Sequence, residues 1–336
     1  MGVSVVFGGQ WGSEGKGKTT YYFSKSLQIS TAVRVGGPNS GHIIVNDAGK
    51  KITFQILPVA SVLDGVSCVL PAGTYIDLEI LQDEIQRSGI SRNQLKIHPN
   101  AIIIGRNNID SEKAAYLNQK IGSTESGTGM AVISRIKRES TALLAQNCIE
   151  VQPYLCDTTD YLRAELRKKH EIIIEGTQGF GLSLLHSSDY PFVTSRDTSA
   201  AAFLSETGLS PFDVKNVIMA LRAFPIRVAG NSGPLPLEIS WDDVTKLSGS
   251  STAIIEKTTV TKRIRRVARF SEDIVKKAIA ANQPNIIVLN HCDYFDYSIN
   301  NSSTISNIVN QEIVKIEKQI GKIDYIGTGD STLLKR

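Results

Sequence analysis

Residues 12–19, Gly12-Ser13-Glu14-Gly15-Lys16-Gly17-Lys18-Thr19, match the pattern G-x-x-x-x-G-K-[ST] and follow Gly8, Gly9, Gln10 and Trp11. In that spacing glycines let the backbone wrap a polyphosphate, Lys18 or Lys16 brings positive charge, and Thr19 can approach Mg²⁺. An apolar run at 3–7 precedes the loop and a helix-like segment at 20–27 follows it. Strand, glycine turn and helix start would therefore bring free N–H groups and the positive end of a helix dipole to one point. A phosphate is the expected ligand.

Further loops of the same kind recur along the chain. A short strand at 32–35 runs into Gly36-Gly37-Pro38-Asn39-Ser40-Gly41-His42, which would bring His42 to a strand end as a candidate general acid. Ser123, Thr124, Ser126 and Thr128 lie among Gly122, Gly127 and Gly129, a composition that fits either a flexible surface loop or a cradle for a monophosphate. An apolar strand at 172–174 opens onto Glu175-Gly176-Thr177-Gln178-Gly179, and Tyr190-Pro191-Phe192-Val193-Thr194-Ser195 follows as a polar turn; Gln and Thr there suit the amide and hydroxyl groups of a ligand. In the run at 258–266, Ile264 separates Arg263 from Arg265, so the two guanidiniums face one way, an arrangement suited to carboxylates. A late strand at 286–289 leads to Asn290-His291-Cys292-Asp293, similar to the N-K-x-D signal for guanine except that His291 stands in the lysine's place. Gly327-Thr328-Gly329-Asp330 forms one more loop after a strand.

The elements that must position these loops read as α/β. A hairpin is expected over 43–57 with Asp47-Ala48-Gly49 at its turn, an amphipathic helix over 77–87, and short strands at 68–70, 95–97, 102–104 and 217–221. With 336 residues, 41% of them apolar, and no repeat, low-complexity tract or linker, the chain is expected to be a single large domain (1–336) around a mostly parallel sheet. A net charge of +4 over 37 basic and 33 acidic residues gives no reason to expect nucleic acid or a membrane as partner. Cys68, Cys148, Cys156 and Cys292 lack metal-binding spacing and are expected as buried thiols, and with no leader or apolar span the expected location is the cytoplasm.

Taken together, Gln10-Trp11-Gly12-Ser13-Glu14-Gly15-Lys16-Gly17-Lys18, Asn39-Ser40-Gly41-His42, Glu175-Gly176-Thr177-Gln178-Gly179, residues 190–195, residues 258–266 and Gly327-Thr328-Gly329 resemble adenylosuccinate synthetases over essentially the whole length, in the compact archaeal form. The resemblance implies that family's fold and its reaction: a nucleoside triphosphate phosphorylates the purine 6-oxygen, and the aspartate amine then displaces phosphate. It implies catalytic roles for Ser13, Lys16, His42 and Gln178. The triphosphate would lie on Gly12, Ser13, Glu14, Gly15, Lys16, Gly17, Lys18, Thr19, Gly41, His42, Arg265, Asn290, His291, Asp293, Gly327, Thr328 and Gly329. The monophosphate would lie on Ser13, Asn39, Ser123, Thr124, Gln178, Thr194, Arg263 and, from the neighbouring subunit of a homodimer, Arg138. Aspartate would meet Thr258, Thr259, Val260, Thr261, Lys262, Arg263 and Arg265, and Mg²⁺ would meet Ser13 and the Gly41 carbonyl.

Position 13 departs from the family, whose members carry aspartate there as base and metal ligand. Serine removes the charge and shortens the side chain, leaving room for a 2-amino group whose N–H its hydroxyl can accept. With serine there the chain resembles the phage branch of 2-aminoadenylosuccinate synthetases, a resemblance that implies action on dGMP in making 2-aminoadenine DNA precursors, in the host cytoplasm. His291 in place of lysine argues for ATP or dATP over GTP. Conventional synthesis from IMP with GTP, and a nucleotide-binding switch without ligase activity, remain as alternatives.

Overall fold

The computed structural model describes residues 2–258 and 262–336. Nine strands form the central sheet: β1 (Val3–Gly8), β2 (Thr31–Arg34), β3 (Ser67–Leu70), β4 (Leu95–Ile97), β5 (Ile172–Glu175), β6 (Val214–Arg222), β7 (Ile286–Asn290), β8 (Tyr325–Ile326) and β9 (Leu334–Lys335). Their spatial order is β9-β8-β7-β6-β1-β5-β2-β3-β4, parallel throughout except for the β8/β9 pair at one edge. The mostly parallel α/β sheet expected from the sequence is present.

β1 runs through the middle of this sheet, with β6 on one side and β5 on the other. Val3, Val5 and Phe7 join one apolar cluster with Phe203, Val275 and Ile313, whereas Val6 faces a second cluster around Phe23 and Ile29. Both faces are covered, which is why the segment reads as a continuous apolar run rather than an alternation. The parallel direction puts the loops after β1, β2, β5, β6 and β7 at one end of the sheet, where ligands gather in such folds.

The Leu78–Ser88 helix begins with Asp77 accepting from the amides of Glu79 and Ile80 and stops at Gly89 in the left-handed region. The expected hairpin pairs His42–Val45 with Lys51–Phe54. A small antiparallel sheet of Ile226–Arg227, Arg266–Ala268 and Glu238–Ile239 supports the arginine run, and a bridge between Lys257 and Ile264 draws the two ends of that loop together. Thr259, Val260 and Thr261 lie outside the described residues.

Two expectations need correction. The first helix spans Lys16–Ser26, not 20–27, because Gly15 at φ 83° acts as its N-cap and turns the chain into the helix inside the loop itself. Cys156 is half-buried at the sheet edge, unlike the other three thiols. Among the described residues, no helix is long and apolar enough to cross a membrane.

Candidate active site

The first loop is built around Glu14. Its fully buried carboxylate accepts from the amides of Gln10 (3.1 Å) and Gly12 (2.7 Å) and pairs with Lys16 Nζ at 2.6 Å. Glu14 thus closes the loop from inside and does not line the cavity, and the amides it occupies are not those offered to an anion. The helix start supplies the free donors instead, because the first-turn N–H groups have no intrahelical acceptor. Gly17 allows that helix to press against the hairpin: a Cβ there would stand 2.8 Å from the Ile43 carbonyl and 3.0 Å from His42 Cβ. Lys18 Nζ donates to the Gly329 carbonyl at 2.7 Å, and burial pulls the amine down to about 8 against the attraction of Asp293. Thr19 is buried, its hydroxyl 3.3 Å from Asn290 Nδ2, so it does not face the cavity where Mg²⁺ was expected to meet it.

Ser13 sits on the rim of this loop in the left-handed region, φ 56°. Arg265 Nη1 donates to its hydroxyl at 2.5 Å, and Arg222 Nη1 donates to its carbonyl at 3.1 Å. Arg222 is buried and paired with Glu256, which also accepts from the Tyr294 hydroxyl at 2.9 Å. Although burial would raise it, Arg222, His291 and Arg265 hold the Glu256 carboxyl far below the usual carboxylate range.

His42 stands between two buried charges. Its Nδ1 contacts Glu175 Oε1, and Arg34 Nη1 lies 2.5 Å from the same nitrogen and 2.9 Å from that carboxylate oxygen. Glu175 Oε2 takes the Val59 amide at 2.8 Å, so both oxygens are occupied. Burial, then Arg34 and Lys16, lower the imidazole well below its ordinary value, and burial pushes Glu175 up to about 6.

These groups open onto a cavity of about 600 Å³. Of the expected residues, Gly12, Ser13, Gly15, Lys16, Gly17, Lys18, Asn39, Gly41, His42, Ser123, Thr124, Gln178, Thr194, Thr258, Arg263, Arg265, His291 and Gly329 line it. Gln178, at φ 58°, is held there because Gly179 packs on Gln10 and Gly12, where a Cβ would stand 2.5 Å from the Gly12 amide nitrogen. Across the cavity, hydroxyls bond to one another, Thr124 to Ser126 at 3.3 Å and Ser126 to Thr128 at 2.9 Å, while Glu112 fixes the loop by accepting from the amides of Gly127 and Gly129. Asp293 lines a smaller adjoining cavity of about 270 Å³. Asn290 and Thr328 are buried supports: Asn290 Nδ2 donates to the Glu14 carbonyl, and the Thr328 hydroxyl donates to the Ser302 carbonyl. Gly327 backs them, its amide bonded to the Leu289 carbonyl. Arg138 is exposed at the C-terminal end of the Thr128–Lys137 helix and Lys262 is exposed as well; neither lines this cavity.

Sequence reasoning missed several supports. Trp11 Nε1 donates to Asp189, which also takes Arg227, so the one apolar residue of the first loop ties it to the Thr194 segment. Arg34, Arg222 and Glu256 were equally unmarked, yet a buried arginine at the C-terminal end of a strand signals a partner carboxylate.

Among the described residues no three His, Cys, Asp or Glu side chains form a metal cluster. The expected metal contacts, the Ser13 hydroxyl and the Gly41 carbonyl, are neutral oxygens. Such a set fits a Mg²⁺ ion carried mainly by nucleotide phosphates.

A model of the family described as adenylosuccinate synthetase matches residues 5–146 and 139–305. The adenylosuccinate synthetase of Methanococcus aeolicus is 33% identical over 337 residues, covering 98% of this chain and 97% of the relative, and that of Methanocaldococcus jannaschii is 33% identical, covering 97% and 94%. The chain is also similar to the succinoaminodeoxyadenylate synthetase (PurZ) of cyanophage S-2L, solved bound to dGMP and dATP as an energy donor: 27% identity, TM-score 0.83, 99% of this chain and 95% of that one. The fully ligated adenylosuccinate synthetase of Plasmodium falciparum shares the fold, with TM-score 0.86 at 20% identity over 100% and 99% of the two chains.

Proposed function

The chain belongs to the adenylosuccinate synthetase family of ligases, which join aspartate to a purine nucleotide using a nucleoside triphosphate and Mg²⁺, and on that premise we propose that it condenses aspartate with dGMP, using ATP or dATP, to give N6-succino-2-amino-2′-deoxyadenylate. Family membership removes the ground for a switch without ligase activity. The observation that carries the finer reading is Ser13, whose hydroxyl lies in the cavity under the Arg265 guanidinium. A carboxylate there would pair with Arg265 and crowd the purine edge; a hydroxyl leaves space and an acceptor for the 2-amino group of guanine. The S-2L protein's bound dGMP and dATP support the same pair of substrates.

On this reading Lys16 and the amides of 15–18 hold the phosphate that moves, and Mg²⁺ supplies charge neutralisation on the triphosphate. His42 stabilises charge at the purine 6-oxygen, its ring oriented by Glu175 and Arg34. Phosphoryl transfer then depends on positioning and preorganised charge more than on a covalent intermediate. Gln178 and Asn39 read the nucleoside, while Ser123, Thr124 and Thr194 bind the monophosphate, with Arg138 of a second subunit completing it. Arg263 and Thr258 take the aspartate carboxylates. All of this sits in one catalytic domain.

Synthesis of adenylosuccinate from IMP is the second reading, favoured by the curated archaeal relatives, which carry that enzyme's name. Phosphate release with ATP, Mg²⁺ and aspartate, compared across dGMP, GMP and IMP, decides between them. Turnover with dGMP and little with IMP is expected; turnover with IMP alone overturns the dGMP reading.

A further inference from the structure

Ser13 is held at two polar atoms by two guanidiniums: Arg265 Nη1 donates to its hydroxyl at 2.5 Å and Arg222 Nη1 to its carbonyl at 3.1 Å. Of the two, Arg265 lines the cavity, whereas Arg222, at the C-terminal end of β6, is fully buried and does not. Arg222 is itself fixed from two directions. Glu256 takes both of its terminal nitrogens, and Gln10 takes its backbone, accepting from the Arg222 amide at 3.0 Å and donating to the Arg222 carbonyl at 3.2 Å. The residue it holds needs a support: at φ 56° Ser13 lies in the left-handed region, which disfavours a residue with a Cβ.

We infer that Arg222 is a positioning residue for purine selection, pinning the Ser13 backbone so that the hydroxyl meets the 2-amino group of the purine. Arg265 holds the hydroxyl from a loop whose Arg263 and Ile264 are exposed, so by itself it would let the serine follow that loop. Arg222 ties the same residue to the end of the central sheet. With one atom fixed from the sheet and one from the loop, the second lone pair of Oγ keeps a set direction. A fixed acceptor discriminates best between a purine that carries the matching N–H and one that lacks it, because the pairing then requires no reordering of the site. This role rests on the proposed choice of dGMP over IMP through Ser13.

The test is the ratio of kcat/KM for dGMP to that for IMP, measured with ATP, Mg²⁺ and aspartate for the natural protein, Arg222→Lys, Ser13→Ala and the double variant. Lysine keeps a positive charge for Glu256 but has no fork with which to serve the carboxylate and the Ser13 carbonyl together. It also removes Arg222 Nε, a buried donor without a partner, so the variant should fold, and urea unfolding checks that it does. Arg222→Lys should lower the ratio about 5- to 20-fold, and in the double variant the ratio should fall no further than in Ser13→Ala, since Arg222 acts through that hydroxyl. Calorimetric binding of dGMP and IMP reads the same ratio if turnover is lost. A natural preference for IMP sinks the dGMP reading itself. A natural preference for dGMP that Arg222→Lys leaves within about twofold, or losses that multiply in the double variant, leave that reading standing and overturn the role of Arg222.

Discussion

The two walls of the cavity are built differently. Behind one, Glu14 and Glu175 are buried and each carboxylate is occupied by the chain's own donors: Gln10, Gly12 and Lys16 on the first, Val59, Arg34 and His42 on the second. On the other, Ser123, Thr124 and Ser126 are only partly covered, and Thr124 and Ser126 bond to each other or to a neighbouring hydroxyl. The first wall is complete before any ligand arrives. The second holds its hydrogen-bonding capacity in weak mutual contacts that a phosphate can replace. On the proposed reading, phosphoryl transfer, which needs fixed charge, falls to the first, and the monophosphate, which must enter and leave, to the second.

The comparison can be broken most sharply at His42. His42→Asn should cut kcat by about 10²–10⁴-fold, the usual contribution of a positioned general acid, and change the KM for monophosphate far less. Equal losses in both would make His42 part of the binding wall. Glu14→Ala should cost roughly 3–5 kcal/mol in urea unfolding, because Lys16 would remain buried without its partner; a loss near zero would mean that the first wall is not preformed.

The pair of His42 and Glu175 adds a pH dependence. Since burial raises the carboxyl to about 6, kcat should fall as pH drops through that value and Glu175 takes up a proton, losing its hold on the imidazole. Glu175→Gln should remove that acid limb, and a profile that keeps it would assign the limb elsewhere.

Smaller effects test the contrast at its edges. Ser13→Asp should lower the ratio of dGMP to IMP turnover by about tenfold or more, as expected when a pocket loses room and an acceptor for one group. Thr124→Val should raise the KM for monophosphate only about three- to tenfold, one hydrogen bond's worth, and leave urea stability unchanged. A stability loss there as large as that of Glu14→Ala would erase the distinction between the walls.

Much of the first wall was legible in the sequence because its parts follow apolar strands directly: β1, β2 and β5 end where the glycine loops begin. The register of Lys16 was harder. Helix propensity over glycine is poor, yet Gly15 starts the helix because its left-handed conformation lets the chain turn there. Glu14 read as a phosphate contact, and only the fold reveals it as the loop's internal anchor. Arg222 carried no local signal, since its partner carboxylate, Glu256, is distant in sequence. Long-range pairing of this kind is set by topology rather than by spacing.

Lys18 and Gly329 are bonded across 311 positions of sequence. During synthesis the lysine is made 311 positions ahead of its acceptor, and the strands between them must follow first. β1, in the same stretch, must likewise wait for β5 to pair one of its edges and for β6 to pair the other. Until those strands have been made, therefore, the segment has open strand edges that can pair with other chains, and the slower the rest of the sheet forms the longer that exposure lasts.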